Sequence, residues 1–291
     1  MTSVVIVAAD SGNDLATCVE RVAASTVSVE IIVSDNHSTD GSIDAIQARW
    51  KDDDRVRILR NGSNLGFGTA CNRAAAIARG DTLLILNPDC RVDGDTLQRL
   101  RSVLMSDSKI GVVGATLVDE HGRYEPASRR RDPFLRRALM TKLGLSRFES
   151  NSSAFDGANK AAAATRAVEV VDAVSGALMM IPRALFQRIG GFDEGYFLHC
   201  EDLDLCKRVR DAGAAVVCAN DVRVIHVKGT SSRARPVFVA RQKHRGMWRW
   251  FTKFDPAARN PLLRAFVWCA LWAHFAMLVP IYVLKTRRNQ R

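Results

Sequence analysis

What most constrains this chain is an alternation running through its first 120 residues. Short apolar runs at 4–8, 29–33, 56–59, 83–86 and 112–118 are separated by stretches of helical spacing at 13–24, 42–49, 68–78 and 95–105. The runs are continuously apolar, which places both faces of their sheet under cover. Short strands separated by amphipathic helices dictate an α/β fold: a Rossmann-like, mostly parallel sheet with helices on both faces. The pattern lapses over 126–165, which is basic and then rich in Ser, Asn and Ala, and reads as a variable insertion or lid. It resumes with extended pieces on either side of Ser175 and Gly176, helices at 183–189 and 202–212, and strands at 216–218 and 222–227.

In an open α/β sheet, ligands bind beyond the carboxyl ends of the strands. Those ends are polar here. The first leads to Asp10, the second to "SDNHSTDG" with Asp35 at its edge, the third to "NGSNLGFGTACN", and the fourth to Asn87-Pro88-Asp89. Pro88 removes a backbone donor and stops the ladder, so Asp89 is presented past the strand. A carboxylate there, facing polyphosphate, suits a hard divalent cation, Mg²⁺ or Mn²⁺. Asp40 reads as a cap for the helix at 42–49, whereas Asp35 follows a buried run directly and is harder to assign to a turn. Gly66 and Gly68 open a helix as glycines near a phosphate or ribose do, without the G-x-G-x-x-G spacing.

The second half must supply the reaction partner. "FLHCEDLDLCKRV" starts a helix with acidic residues. Glu201 and Asp202 lie at its positive end, where capping is the plain alternative to catalysis. They follow the loop "GGFDEGYF". Its Phe192, Asp193 and Tyr196, with Gly176 and Glu201, read as a sugar or acceptor platform beside a general base. His226 ends a strand within 222–254, a stretch with nine Lys or Arg and no Asp or Glu, and reads as a phosphate or metal contact.

The net charge of +11 admits nucleic acid, anionic lipid or a polyanionic small molecule as partner. No helix-turn-helix or aromatic–basic motif supports nucleic acid. The missing G-x-G-x-x-G argues against a nicotinamide oxidoreductase. Seven cysteines, with no C-x-x-C pair, suit reduced thiols, several of them in the core. Residues 265–284, "AFVWCALWAHFAMLVPIYVL", are almost wholly apolar. His274 near the middle, Pro280 as a breaker of the last turn, and positive charge at both ends favour an in-plane or re-entrant membrane anchor over a span. A buried core helix is the third reading.

Taken in order, "VVIVAADSG", "VSDNHSTDGS", "NLGFGTACNRA", "LLILNPD", "SGALMMIPR", "GGFDEGYFLHCEDLDLCKRV" and "VIHVKGTS" form a recognisable series. Through them the chain resembles the family 2 inverting glycosyltransferases of GT-A fold, especially the bacterial rhamnosyltransferase-like branch. The resemblance implies a catalytic domain over 1–230 and a basic helical region over 231–291 that carries the membrane-associating segment 265–284. It implies that Asp35 recognises the nucleotide base, and that Asn64, Gly66 and Asn72 line the nucleotide-sugar site beside Asp10 and Asn87 of the rim. Asp89 would ligate the metal, His226 would touch metal or diphosphate, and Asp202 would be the catalytic base. Two positions depart from the family's pattern. Ala9-Asp10 stands where Tyr-Asn is common, and Asn87 replaces the first carboxylate of the Asp-x-Asp motif, as it often does in the rhamnosyltransferase-like branch.

The implied activity is inverting transfer from a nucleotide-sugar, dTDP-L-rhamnose ahead of donors such as a UDP-hexose. The implied acceptor is a lipid-linked or polysaccharide glycan of O-antigen or cell-wall synthesis. The implied place is the cytoplasmic face of the inner membrane, whose anionic leaflet attracts a basic surface.

Overall fold

Parallel strands build the first half of the sheet. The structure, a computed structural model, describes residues 1–137, 166–227 and 235–289. In chain order come β1 (Thr2–Ala8), α1 (Gly12–Ala23), β2 (Val29–Asp35), α2 (Ser42–Arg49), β3 (Val56–Arg60), α3 (Phe67–Ile77) and β4 (Thr82–Leu86). β1 pairs in parallel with β2 and β4, and β2 with β3. Their carboxyl ends therefore share one rim. β1, β2 and β4 are buried throughout, as continuous apolar runs require. α1 covers one face with Leu15, Cys18, Val19 and Val22, and α3 the other with Ala70, Cys71, Ala74 and Ala75.

Then follow β5 (Cys90–Arg91), α4 (Thr96–Ser106), β6 (Ile110–Val118), β7 (Val168–Val170), β8 (Leu178–Pro182), α5 (Arg183–Arg188), α6 (Glu201–Asp211), β9 (Ala215–His226), α7 (Pro236–Phe254) and α8 (Pro261–Asn289). Among the described residues the sheet has nine strands, ordered β3-β2-β1-β4-β8-β6-β9-β5, with β7 on β9. The expectation of a mostly parallel sheet needs correcting in this half. β8 runs antiparallel to β4 and β6, and β5 and β7 antiparallel to β9, while β6 and β9 are parallel. The reversal of β8 matters for the site: with Leu86 opposite Leu178, the residues entering β8 lie at the carboxyl end of β4. The two strands expected at 216–218 and 222–227 are one, β9, whose pairing with β6 shifts between Ala115 and Thr116.

Residues 126–137, expected to begin a variable insertion, are tied to the sheet. A 3₁₀ turn at Pro126–Ser128 follows β6, and Arg130 exchanges two backbone hydrogen bonds with Ala173 (2.9 and 3.0 Å). The remainder of that expected insertion, 138–165, lies outside the described residues, as do Lys228 and Gly229. The seven cysteines are free, six of them buried.

α8 corrects two readings. It runs unbroken through Pro280. It is also no core helix, since only 6% of its apolar window is buried and Leu262, Phe266, Trp268, Met277 and Leu284 are exposed. Its contacts are with α7, through His244 and His274 (3.0 Å) and through Arg264 over the Trp248 ring.

Candidate active site

Carboxylates lace together the carboxyl ends of β1 and β2. Asp10, in left-handed backbone (φ 52°), accepts from the Thr39 N–H at 2.6 Å, and its own N–H donates to Ser38 Oγ at 3.1 Å. Asp35, buried, accepts from Ser38 N–H at 2.8 Å. Asp40 accepts from Ser42 and from Gly12 N–H at 2.7 Å, so it braces the start of α2 and also ties it to the start of α1. The rim is a set of shaped loops with Asp35 at its base.

Several residues expected to meet ligand also form a socket for the 191–197 loop. A Cβ on Gly66 (φ 84°) would lie 2.5 Å from the Phe197 carbonyl oxygen, which accepts from Phe67 N–H at 3.0 Å. Glycine is required there by that close approach. Asn64 Oδ1 accepts from Gly66 N–H at 3.1 Å and shapes the turn. Asn72 donates to Phe192 O (2.9 Å) and Glu194 Oε1 (3.0 Å) and accepts from Phe192 N–H (2.8 Å). Phe192 and Tyr196, expected as a sugar platform, are core residues, each 1% exposed. Phe192 stacks edge-on against Phe67 and Phe186, because large apolar rings gain more in the layer beneath the loop than on its surface. Asp193 pairs with Arg249 (2.7 Å) and Lys253 (2.6 Å) of α7. Burial opposes its ionisation, but those two cations hold it down at about 2. The ring of this loop left half-buried is Phe197, edge-on to Phe238 at 5.5 Å.

Beyond β4 lies the metal-like end of the site. The pairing of Cys90 with His226 carries the end of β9 across to Asp89. Asp89 Oδ1 is 3.2 Å from His226 Nε2, and Glu125 Oε2 is 3.2 Å from His226 Nδ1. Burial alone would lower the His226 pKa, but the two carboxylates outweigh it and raise it to about 9. A histidine with one nitrogen on a buried carboxylate and the other turned to a ligand position is the usual arrangement around a bound metal. The ligand atoms of Asp89, Cys90 and His226 lie within 4.8 Å of one another. Burial keeps the Cys90 thiol protonated, and it donates to Ala177 O at 3.4 Å. That leaves carboxylate oxygen and imidazole nitrogen, a donor set that fits a divalent cation. Glu125 was not foreseen. Nothing in its neighbourhood along the chain marks it; the chain turns back after β6, with Glu125 N–H on Leu117 O, and the pairing of β6 with β9 then brings it to His226.

The base-like end is adjacent. Asn87 N–H donates to Ala177 O at 2.8 Å, and the neighbouring Gly176 N–H donates to Asp202 Oδ2 at 2.9 Å. Left-handed backbone at His199 and Cys200 (φ 70° and 72°) sets Glu201 and Asp202 on the first turn of α6. Asp202 Oδ1 accepts from Leu203 N–H at 2.8 Å, and Oδ2 is ion-paired with Arg130. Burial pushes Asp202 up, but Arg130 and these hydrogen bonds hold it below the usual carboxylate range. Glu201 is buried too, and Oε2 has no hydrogen-bond partner among the described residues. Burial, and then the charge of Asp202, push Glu201 well above that range. Arg130 was legible in the sequence only as one member of a basic block.

A family model described as "Glycosyl transferase family 2" matches residues 3–166. The N-acetylglucosaminyl-diphospho-decaprenol L-rhamnosyltransferase of Mycobacterium tuberculosis is 28% identical over 268 residues, covering 81% of this chain and 83% of that protein. Rhamnosyltransferase WbbL of Escherichia coli is 27% identical over 182 residues, covering 60% of this chain and 65% of that one. Among solved structures, the mannosyltransferase PcManGT from Pyrobaculum calidifontis, in complex with GDP-Man and Mn²⁺, matches with a TM-score of 0.60 at 16% identity. That match covers 99% of this chain and 79% of the other, and is a likeness of fold.

Proposed function

This chain belongs to glycosyl transferase family 2 and is a glycosyltransferase, and from that premise we propose that it moves L-rhamnose from dTDP-L-rhamnose to a hydroxyl of a lipid-linked diphosphate sugar, with inversion. The observation that carries this reading is the junction at Gly176 and Ala177. One short hydrogen-bonded path joins the strand-end motif of Asp89 to the buried carboxylate of Asp202. A place for a departing diphosphate and a place for a base thus adjoin. The two rhamnosyltransferase relatives support rhamnose as the sugar, and the decaprenol-linked substrate in the name of one supports a lipid-linked acceptor.

In the proposed reaction, Asp202 takes the proton of the acceptor hydroxyl as its oxygen bonds to the anomeric carbon. The bond from that carbon to the diphosphate oxygen breaks on the opposite side. Asp35, at the base of the rim, takes the nucleobase. Asp89 and His226 would hold the divalent cation, Mn²⁺ in preference to Mg²⁺ because one ligand is an imidazole. When bound, that ion neutralises charge developing on the departing diphosphate.

α8 supports a place at the membrane. Its apolar stretch Pro261–Leu284 has 24 residues, which at the helical rise is about 36 Å, enough to cross a bilayer's hydrocarbon. Apolar side chains on every side suit immersion in lipid, and the basic α7 beside it suits anionic headgroups on the cytoplasmic face.

Release of nucleoside diphosphate tests the reading, using polyprenyl-diphosphate-N-acetylglucosamine as acceptor and a donor panel of dTDP-rhamnose, UDP-glucose and GDP-mannose. Turnover with dTDP-rhamnose alone supports it, and preference for a UDP-hexose replaces the sugar. Deleting 261–291 should release the protein from membranes with dTDP binding intact. An aggregated, non-binding product would instead make α8 part of the fold.

A further inference from the structure

We propose that Arg130 is the positioning residue for the base: it holds Asp202 ionised in a water-poor pocket and reserves oxygen Oδ1 for the acceptor hydroxyl. The inference rests on the reading of Asp202 as base.

The two oxygens of Asp202 are unequally engaged. Oδ2 takes both the Gly176 N–H and the Arg130 guanidinium, whereas among the described residues Oδ1 takes only the Leu203 N–H. Each carboxylate oxygen has two in-plane lone pairs. Oδ2 is therefore filled, and Oδ1 keeps one lone pair that can receive a proton. Arg130 cannot slide off easily. Its backbone is bridged to Ala173, and the same Nη2 donates to Val174 O at 2.9 Å.

The need for a cation here is visible in the neighbouring residue. Glu201 lies on the same turn and is equally buried, but no cation pairs with its carboxylate among the described residues, and it favours the neutral form. Without Arg130, burial would drive Asp202 the same way, and a protonated acid cannot serve as base. The other groups facing this pocket do not replace Arg130. Burial and then Lys243 keep His199 towards its neutral form. The thiols of Cys200 and Cys206 are kept protonated by burial. Arg210, across from Cys206, is paired with Asp132 at 2.6 Å. Lys243 of α7 is the remaining cation, and no contact joins it to Asp202 among the described residues. A guanidinium also cannot lose its proton in the working pH range, so its positive charge is present at every step and returns Asp202 to its ionised form after each proton transfer.

The test uses full-length protein in detergent with three variants, R130Q, R130K and D202N. The readouts are kcat/KM for acceptor between about pH 5.5 and 8.5 and the Kd for dTDP. With Mn²⁺ and dTDP-rhamnose saturating at every pH, so that His226 does not titrate, wild type should show no acidic limb in this window. R130Q keeps a donating amide but no charge. It should lose at least about tenfold at pH 7 and acquire an acidic limb, with activity recovering as pH rises, because its Asp202 now titrates in range. R130K, which keeps the charge with poorer reach, should show a smaller loss and a limb displaced less. The dTDP Kd should change by less than about twofold in both variants.

Variants that are slow but keep the wild-type profile would make Arg130 merely structural and overturn the proposal. If R130Q does not fold, R130K alone decides, on whether its limb moves. D202N separates the two readings. Near-normal turnover in D202N removes Asp202 as base, whereas an inactive D202N beside flat Arg130 profiles sinks the Arg130 proposal alone.

Discussion

The two ends of the site resemble each other and work in opposite ways. At each, a carboxylate faces a nitrogen cation: the half-buried Asp89 faces His226, and the buried Asp202 faces Arg130. At the first end the cation is a histidine, which can give up its proton and leave a carboxylate and an imidazole together for a metal. At the second it is an arginine, which cannot, so the cation is permanent and the carboxylate enters each cycle as an anion. One pair is exchangeable and the other fixed. That difference suits a site in which one end must admit and release a charged ligand in each cycle while the other only passes a proton.

The comparison breaks most visibly at the fixed end. D202N keeps the size but removes the charge and the proton acceptor. It should lower turnover by about a hundredfold or more and leave dTDP binding intact. At the exchangeable end, D89N should abolish the gain in dTDP affinity that Mn²⁺ provides and leave binding in EDTA unchanged. Calorimetry on both proteins, with and without EDTA, measures this. Equal binding by wild type in the two conditions would mean that the Asp89–His226 pair is as permanent as the other.

A smaller effect follows from the His226 proton itself. In the ion-free protein the pKa is raised from 6.5 to about 9, because two carboxylates outweigh burial. The stability this provides is complete below pH 6.5 and disappears as pH climbs through about 9. In EDTA, wild type should therefore lose on the order of 1–3 kcal/mol across that interval relative to H226Q, read from denaturant melts. With saturating Mn²⁺ and dTDP, the bound metal replaces the proton and the slope should flatten or reverse.

Much of this architecture is legible in the chain. The continuous apolar runs define β1, β2 and β4, and helices such as α2 lie where their spacing puts them, because these elements are dictated by local pattern and burial. Asp35 and Asp89 stand out because each follows an apolar run that ends abruptly, and Asp202 because it opens a helix just after the aromatic loop. What the pattern cannot show is which polar groups meet across the sheet. Arg129 and Arg130 look alike in "RRRDPFLRR", yet they go to different partners. Arg129 is buried against Glu169 and Tyr124, and Arg130 reaches Asp202. Extended backbone sends neighbours to opposite sides, and the bridge to Ala173 decides which goes where. The aromatic loop misleads for a related reason. Phe192 and Tyr196 resemble a sugar platform until Gly66 and Asn72, more than a hundred residues earlier, are seen to dock the loop face-down.

Glu125 offers the finest test of exchangeability. E125Q keeps an acceptor for the Nδ1–H of His226, so the ring stays oriented, but it removes a negative charge. Two consequences oppose each other. The imidazole becomes a poorer ligand, which for a residue behind a metal-ligating histidine costs about tenfold in metal affinity or somewhat more. The imidazole also becomes less basic, so the metal displaces a proton less often. With the wild-type pKa at about 9, most His226 at neutral pH must be deprotonated before it can ligate, and that competition is relieved in the variant. Mn²⁺ titrated in the presence of dTDP should therefore bind E125Q about five- to tenfold more weakly than wild type at pH 9, where the proton costs wild type only about twofold, with the gap narrowing to about twofold or less near pH 7. Dependence of the phosphate groups on pH is common to both proteins and cancels in the ratio. A gap that stays constant from pH 7 to 9 would show that the His226 proton does not compete with the metal. The exchange that distinguishes this end of the site from the Arg130 end would then be absent.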